Sequence, residues 1–323
     1  MRPLKSPQKT FYFLDKRPLE VKKQELKHLS YFIAAAENHK YYNELLKLYV
    51  PDWNVKITKT QFIGEGQGAG ALSAFRKVTF ENQDYFEKVF FTQSKDLQTI
   101  KWFDEFVREQ IKDKIKTPKI RKIYSGELLT IVYMDFFELK PFKEQKVEKK
   151  LIEFTKSLYN TSVESLLNDK QNIPDHLLDY KTSYQYQSNI GLLKDIFKRE
   201  GIDFDLLEKS IQSSKKVITQ GDIIPRNVAK KNIVIDWDSF GIYPIGMEQA
   251  YLYYFTYLEK DKKPFINPKD WLNKHYGDFI EDKDLEQFNL NFTFFVFVYS
   301  YRLFIANKYP QIKDILLKEL SLS

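Results

Sequence analysis

The sequence contains no cysteine and only four histidines in 323 residues. Without cysteine the chain can form no disulfide, no thiolate nucleophile and no cysteine-ligated metal site. The histidines stand far apart along the chain and include no His-x-x-x-His pair, so a zinc centre or a histidine-based catalytic triad is not expected. They are His28, His39, His176 and His275.

Long apolar runs are also missing, with one segment that comes near. Leu285–Lys308 is rich in phenylalanine and tyrosine, but Asn289, Asn291, Ser300 and Arg302 interrupt it. Its charge-free part is shorter than the roughly twenty residues that a membrane span needs. A helix that is apolar on most sides is typical of a protein core. We therefore expect a core helix here and no membrane span.

The net positive charge of the chain does not by itself identify a binding partner. A net charge of +7 would suit a nucleic-acid partner. The densest basic cluster, within residues 112–122, alternates lysine with isoleucine, as on a solvated face beside a buried one. No nucleic-acid motif accompanies it, so no nucleic-acid partner is expected. The N-terminus, Met-Arg-Pro-Leu-Lys-Ser, has no apolar signal segment, and we expect a cytoplasmic protein.

Glycine is scarce as well, with eleven in the chain, yet four of them fall within Gly64–Gly70. The run Val55–Ile63 before them is a predicted strand. Behind them, Ala74–Phe80 and Tyr85–Phe91 predict a hairpin around a polar four-residue turn. Glycines let backbone N–H groups approach phosphate oxygens closely. The positions concerned are Gly64, Gly66, Gly68 and Gly70.

Lys88, inside the second strand of this hairpin, would place its ammonium near nucleotide phosphates, as the strand lysine of protein kinases does beside their glycine-rich loop. Other interpretations of the glycines can be compared with this one. A P-loop needs Gly-Lys-Ser or Gly-Lys-Thr at its end, which this sequence lacks. A dinucleotide-binding turn needs a helix directly after the glycines, and Ala69–Ala74 could begin one. An NAD(P)-binding protein and a plain hairpin tip therefore stay as alternatives.

The segment that bears most directly on function is Gln220–Asn227, followed by Ile235–Asp238. It places Asp222 five residues before Asn227, and Asp236 nine residues further on at the end of a short apolar strand. Kinase-like phosphoryl transfer uses one carboxylate to orient and deprotonate the attacking hydroxyl, while an asparagine and a second aspartate hold magnesium. A turn followed by a buried strand would have a similar sequence, so a catalytic role for this motif is a hypothesis.

These residues carry a family resemblance. Gly221–Asn227 and Val234–Asp238 resemble the catalytic signature of the aminoglycoside phosphotransferase and choline kinase superfamily. In that family the first run reads His-Gly-Asp-x-x-Pro-Gly-Asn and the second reads Ile-Asp-Trp-Glu. The strand that carries Lys88 is similar to the corresponding strand of the fructosamine kinase branch. The resemblance covers roughly residues 55 to 255.

The resemblance implies a bilobal protein-kinase-like α+β fold, with a small antiparallel β-sheet N-lobe and a larger, mainly helical C-lobe. We expect an N-terminal helical extension over residues 1–50, a nucleotide-binding N-lobe over 51–137, and a C-lobe with the catalytic loop and acceptor pocket over 138–323. The apolar patterns predict helices in the extension and the C-lobe. They are Leu19–Tyr49, Lys146–Leu158, Ile190–Arg199, Leu206–Ser213 and Glu248–Leu258.

The resemblance also implies the cofactors and the residues that hold them. ATP or GTP would be bound with Mg²⁺, with Asp222 as catalytic base and Asn227 and Asp236 as magnesium ligands. The amides of the glycine-rich segment and Lys88 would neutralise phosphate charge. Met134 would lie at the hinge whose backbone holds the adenine, at the exit of the last predicted N-lobe strand.

A kinase-like fold further needs an acidic residue on the helix after the lysine strand, to pair with that lysine. The helix is predicted over Thr99–Lys114, and its acidic candidates are Asp104, Glu105 and Glu109. None lies on the apolar stripe of the helix, so periodicity does not choose among them. The distance to the next strand favours Glu105.

Three residues depart from the family pattern. Gln220 stands where the family has histidine, Arg226 where it has glycine, and Glu248, at what would be a structural position, where it has aspartate. Glutamine can also donate and accept hydrogen bonds, and the Arg226 guanidinium could meet a phosphate or an anionic substrate. A nucleotide-binding pseudokinase or regulator stays as an alternative, but the retained Asp222, Asn227 and Asp236 favour an active enzyme. The predicted function is a phosphotransferase for a hydroxyl of a small molecule such as a sugar, aminoglycoside or amino alcohol.

Overall fold

The computed structural model describes residues 39–67, 72–168, 173–187, 190–259 and 266–321. These residues divide into two compact units. The first, called the sheet unit, holds the described residues up to Glu109 together with Thr117–Glu138. The second, called the helical unit, holds Gln110–Lys116 and the described residues from Leu139 onward. The predicted boundaries at residues 50 and 137 stay predictions.

The sheet unit is built on a five-stranded antiparallel sheet with the order β1-β2-β3-β5-β4. β1 runs further than predicted, because Gly64 and Gly66 lie inside it and pair with Phe75 and Ser73 of β2. Gly68 and Gly70 lie outside the described residues. The strands are β1 (Lys59–Gln67), β2 (Leu72–Phe80), β3 (Gln83–Phe91), β4 (Ile120–Ser125) and β5 (Leu129–Asp135).

The turn between β2 and β3 is tighter than the four-residue turn that the sequence predicts. Phe80 pairs with Gln83, so only Glu81 and Asn82 stand between the strands, with φ of 51° and 60°. Positive φ at both central residues is typical of a type I′ hairpin turn, whose twist matches that of the strands. The predicted hairpin is present, and its register is fixed by this turn.

The two faces of the sheet are covered by different segments. Tyr42 and Leu46 of α1 (His39–Tyr49), and Val50 directly after it, follow one another at helical spacing and pack on the face that includes Val89 of β3. The part of the predicted helix before residue 39 lies outside the described residues. Phe90 lies on the opposite face with residues of the next helix. Alternation along β3 therefore puts Glu87 on the α1 face and Lys88 on the other.

The helix predicted over Thr99–Lys114 is present but is not regular. It begins as α2 (Lys95–Trp102), passes through a π-helical segment (Phe103–Val107) and ends as α3 (Arg108–Ile111). The Ser94 side chain caps its start by accepting a hydrogen bond from the backbone N–H of Leu97.

The helical unit contains most of the helices and two short β-pairs, β6 with β9 and β7 with β8. Its predicted helices are present, Ile190–Arg199 with the predicted ends and the others with shifted ends. The last predicted one is α-helical only to Tyr253 and then π-helical over Tyr254–Glu259. The helices are α4 (Glu144–Tyr159), α5 (Glu164–Asn168), α6 (Asp175–Leu178), α7 (Tyr184–Gln187), α8 (Ile190–Arg199), α9 (Phe204–Ser213), α10 (Met247–Tyr253), α11 (Pro268–Tyr276), α12 (Asp282–Ile305) and α13 (Pro310–Ser321). The short strands are β6 (Lys216–Thr219), β7 (Val228–Ala229), β8 (Ile233–Val234) and β9 (Gly241–Pro244).

α12 is the aromatic segment that the sequence predicts as a core helix. By length and composition it could span a membrane, but 72% of its most apolar 18-residue window is buried inside the structure. Its Phe292 stacks on Trp271 of α11, and Phe294 and Phe297 pack against Phe197 of α8. The α+β fold class, with a small antiparallel sheet in one part and a larger helical part, is confirmed.

Candidate functional site

The segment that holds Asp222 begins where β6 ends, and its path depends on one glycine. Gly221 has φ of +85°, and a Cβ at this position would lie 2.0 Å from the backbone oxygen of Ser239. Only glycine therefore suits the position. The next residues, Ile223 and Ile224, are buried and anchor the loop. Between these anchors and the glycine, the Asp222 side chain is held at a fixed point, partly open to solvent.

Asn227 is placed against Asp222 by a short turn. The Asn227 backbone N–H donates to the Ile224 carbonyl at 3.0 Å, and its buried carboxamide Nδ2 donates to the Asp222 carbonyl at 2.8 Å and to Asp222 Oδ2 at 3.0 Å. Arg226 points outward, with its Nη2 3.6 Å from Asp222 Oδ2. Arg226 is not among the described residues with positive φ, so the arginine in place of the family's glycine is accommodated without backbone strain.

A two-stranded ribbon brings Asp236 back to the same place. Val228 pairs with Val234 and Ala229 with Ile233, and the Ile235 N–H donates to the Asn227 carbonyl at 2.9 Å. The strand that the apolar run predicts, Asn232–Ile235, is longer than the two-residue β8 that forms. Asp236 then adopts the left-handed region at φ 62°, and its side chain is exposed. Aspartate tolerates this conformation better than most residues, and strained backbone is frequent at functional sites.

Gln220 joins the two segments of the motif. Its Nε2 donates to the carbonyls of Ile235 at 3.1 Å and Asp236 at 2.5 Å, and its Oε1 accepts the Asp222 N–H at 2.8 Å. This is one acceptor and two donors, which a carboxamide provides and a neutral imidazole, with a single N–H, does not. At the family's histidine position, both the Nε2 and the Oε1 of Gln220 are therefore hydrogen-bonded and hold the two segments together.

Two further residues that the sequence did not single out for the site reach this loop from α10. The Tyr251 hydroxyl donates to Asp222 Oδ1 at 2.7 Å. Glu248 is buried and accepts the Gly221 N–H at 3.3 Å on Oε1 and 3.2 Å on Oε2. The sequence placed Glu248 at a structural position of the family, whereas no pattern in the sequence pointed to Tyr251.

The electrostatics of the cluster favour a neutralising ligand. Burial raises the pKa of Asp222, the Tyr251 hydrogen bond lowers it, and the negative charge of Asp236 raises it, with a net upward shift. Burial also raises the pKa of Glu248, to about 8, against the hydrogen bonds from backbone N–H groups. A bound cation would relieve the effect of the Asp236 charge on the partly buried Asp222 carboxylate.

The donor set can be tested against magnesium. Carboxylate and carboxamide oxygens are the ligands this ion accepts, usually few of them from the protein. The described residues contain no group of three or more His, Cys, Asp or Glu that could hold a metal ion. Asn227 with Asp236 therefore suits an ion that takes its remaining ligands from water and phosphate, and does not suit a metal held by protein ligands alone.

In the sheet unit the structure places the other predicted residues as follows. Lys88 is buried on β3, with Nζ 4.8 Å from the ring centroid of Phe75 and 5.1 Å from that of Phe90. Glu105 is exposed in the π-helical segment, and its pairing with Lys88 stays a prediction. Met134 is buried within β5, where it pairs with Phe86 and Ile120.

The structure also bears on the NAD(P) alternative. After the glycine-rich segment the described chain continues as the strand β2, where a dinucleotide-binding turn requires a helix. The possibility that Ala69–Ala74 begins a helix is therefore wrong for its described residues, Leu72 to Ala74, which lie in β2.

Comparison with known proteins gives similarity of structure only. No family model matches the chain, and no curated protein matches it. Solved structures that resemble it include aminoglycoside phosphotransferase APH(4)-Ia in complex with ADP and hygromycin B, at 12% identity and a TM-score of 0.46, covering 87% of this chain and 96% of that one. Spectinomycin phosphotransferase APH(9)-Ia, in complex with ADP and spectinomycin, has 17% identity and a TM-score of 0.42, covering 86% and 92%.

An ethanolamine kinase of Plasmodium vivax has 15% identity and a TM-score of 0.45, covering 90% of this chain and 87% of that one. The names of all three agree with the resemblance drawn from the motifs. Because the identities are at most 17% and the TM-scores at most 0.46, these structures assign neither a substrate nor site residues to this chain.

Proposed function

We propose that the protein is an ATP- and magnesium-dependent phosphotransferase that acts on a hydroxyl group of a small molecule. The observation that carries the proposal is the Asp222 carboxylate, which is partly exposed, held on one oxygen by Asn227 and adjoined by the exposed Asp236. Phosphoryl transfer needs a positioned carboxylate beside ligands for magnesium, and little further covalent chemistry from the protein.

In the proposed reaction the acceptor hydroxyl attacks the γ-phosphorus of ATP. The new acceptor O–P bond forms as the bond between the γ-phosphorus and the β–γ bridging oxygen breaks, giving a phosphate ester and ADP. Asp222 orients the hydroxyl and takes its proton, and Asn227 and Asp236 would hold the magnesium ion. That ion supplies positive charge against the phosphate oxygens. An upward-shifted pKa makes Asp222 a better proton acceptor than an ordinary aspartate.

We also propose that the sheet unit contributes to nucleotide binding. Backbone N–H groups of the segment with Gly64, Gly66, Gly68 and Gly70 would contact phosphate, and Lys88 would neutralise phosphate charge. Glu105 as the acidic partner of Lys88, and the backbone near Met134 as the adenine contact, belong to the same proposal. The acceptor would be a sugar, an aminoglycoside or an amino alcohol, and GTP could replace ATP.

The test is a transfer assay with magnesium and ATP or GTP against kanamycin, ethanolamine and glucose, with ADP or GDP release and the phosphate ester both measured. Asp222→Ala should lower transfer by about a thousandfold or more. Its nucleotide binding should persist, as a thermal shift that requires both nucleotide and magnesium. Asp205→Ala is the matched control, because Asp205 is an exposed aspartate of α9.

The outcomes separate the alternatives. Full activity of Asp222→Ala would remove Asp222 from the chemistry and the proposal with it. A magnesium-independent nucleotide shift without transfer to any acceptor would favour the pseudokinase alternative. Stabilisation by NADPH alone would show that the glycine-rich segment serves a different ligand.

A further inference from the structure

Tyr251 contacts the candidate base from a separate element of the helical unit. Its hydroxyl donates to Asp222 Oδ1 at 2.7 Å, while Asn227 Nδ2 donates to Asp222 Oδ2 at 3.0 Å. The two oxygens of one carboxylate are therefore held by donors from two different segments, the catalytic loop and α10. Hydrogen bonds to an ionised carboxylate are stronger than those between neutral groups.

The Tyr251 ring is held by packing that does not involve the loop. It lies in T-shaped contact with Tyr299 of α12, with ring centroids 5.4 Å apart. Tyr254 and Phe255 lie beside it at 6.3 Å and 6.4 Å. Such aromatic contacts prefer defined geometries, so the position of the hydroxyl is set by the packing of α10 and the π-helical segment against α12.

The second donor matters because a carboxylate rotates easily about its last torsion, which has broad, roughly two-fold preferences. Asn227 alone restrains one oxygen and leaves that rotation partly free. A second donor on the other oxygen fixes the carboxylate plane. Each oxygen has two lone-pair sites, so both keep an acceptor site for an incoming hydroxyl after these bonds have formed.

We propose that Tyr251 is a positioning residue for Asp222, which fixes the carboxylate plane so that its free lone pair meets the acceptor hydroxyl. This inference rests on the proposed function. It assigns Tyr251 no contact with the acceptor or the nucleotide, and it predicts an effect on the rate of the chemical step in preference to substrate binding. Loss of orientation alone can slow a reaction strongly, because reacting groups must be aligned closely.

The test is Tyr251→Phe, which removes the hydroxyl and keeps the ring on Tyr299. With magnesium, ATP and whichever of kanamycin, ethanolamine and glucose the wild type phosphorylates, kcat should fall about ten- to a hundredfold. KM for ATP and for the acceptor should change less than about threefold, since the bond acts on the base. Tyr254→Phe is the control, because it removes the hydroxyl of a neighbouring ring and should leave kcat within about twofold.

A double-mutant cycle tests the contact independently of activity. Urea unfolding is measured for the wild type, Tyr251→Phe, Asp222→Ala and the double variant. Tyr251→Phe should destabilise the wild type and have no such effect when Asp222 is alanine, because the acceptor of the bond is then gone. Additive effects would mean that the bond does not form in solution and would overturn the inference.

The kinetic outcomes are equally separable. An active wild type whose Tyr251→Phe variant keeps its kcat overturns the positioning role and leaves the proposed function standing. A raised acceptor KM at unchanged kcat also overturns it, because Tyr251 would then bind substrate. A wild type that transfers phosphate to no acceptor fails the proposed function, and the positioning role falls with it, while the cycle still shows whether the hydrogen bond forms.

Discussion

Glu87 in the sheet unit and Asp222 in the helical unit are both hydrogen-bonded on both carboxylate oxygens, but they differ in exposure and in the charges beside them. Glu87 in the sheet unit is fully buried: Arg76 donates to it through Nε at 2.6 Å and through Nη2 at 2.9 Å, and the Tyr133 hydroxyl donates at 2.8 Å. Those donors have further partners, since Arg76 Nη1 donates to Asn43 at 3.1 Å and Trp53 Nε1 donates to the Tyr133 hydroxyl at 2.7 Å.

Asp222 in the helical unit has comparable hydrogen bonds but a different environment. It remains partly exposed, and its ion-pair partner Arg226 is itself exposed, with Nη2 3.6 Å from Asp222 Oδ2. The charge of Glu87 is compensated within the core, whereas Asp236 adds negative charge beside Asp222. Hydrogen bonding alone therefore does not distinguish the structural carboxylate Glu87 from the candidate base Asp222. Exposure to solvent and the neighbouring negative charge do.

The largest expected effect is the difference in stability between the amide variants of these two carboxylates. Glu87→Gln should lower the free energy of unfolding by about 3–5 kcal/mol, because the buried guanidinium of Arg76 loses its counter-charge. Asp222→Asn should change it by less than about 1 kcal/mol, since it removes a charge that its surroundings disfavour. Urea unfolding of both variants at neutral pH measures the contrast. Equal losses would remove the distinction between the two sites.

A smaller effect on the free energy of unfolding, confined to a pH range, is expected from Glu248. Its folded pKa of about 8 lies above the ordinary value of 4.5. In the folded state Glu248 therefore binds its proton more tightly than in the unfolded state, and its contribution to stability is lost as pH rises from about 4.5 to about 8. Glu248→Gln should gain stability relative to the wild type across this range, by on the order of a few kcal/mol at its upper end.

The measurement is urea unfolding of the wild type and Glu248→Gln at several pH values between 5 and 8. The difference between the two proteins removes the contributions of other titrating groups. A difference that stays constant with pH would show that Glu248 ionises normally in the folded protein.

The sequence predicted much of this architecture because its signals are local. The hairpin of β2 and β3, the helix over Ile190–Arg199 and the aromatic core helix α12 follow from periodicity and turn residues. The spacing of Asp222, Asn227 and Asp236 predicted residues that the structure does bring together, because a turn and a two-stranded ribbon join them within one short segment.

What the sequence did not predict depends on contacts between distant segments. Arg76 and Glu87 face each other across paired strands, and their burial depends on α1 and Trp53 covering that face of the sheet. Glu87 beside Lys88 in an apolar strand was a signal, since a buried charge requires a partner. Tyr251 gave none, because its role depends on how α10 packs next to the loop. The π-helical segments likewise have no signature in the apolar pattern.

The smallest expected change in stability tests whether burial is the reason why the loss for Glu87→Gln should be large. Arg121 binds Asp135 on the same sheet with the same two-pronged geometry as the Arg76–Glu87 pair, Nε to Oδ1 at 2.6 Å and Nη2 to Oδ2 at 3.1 Å. The side chain of Arg121 is 43% exposed, whereas those of Arg76 and Glu87 are fully buried. Because solvent screens the exposed pair, Asp135→Asn should lower the free energy of unfolding by about 0.2–1 kcal/mol. If urea unfolding shows a loss as large as that of Glu87→Gln, then the hydrogen-bond geometry, and not burial, determines what an ion pair contributes to this sheet.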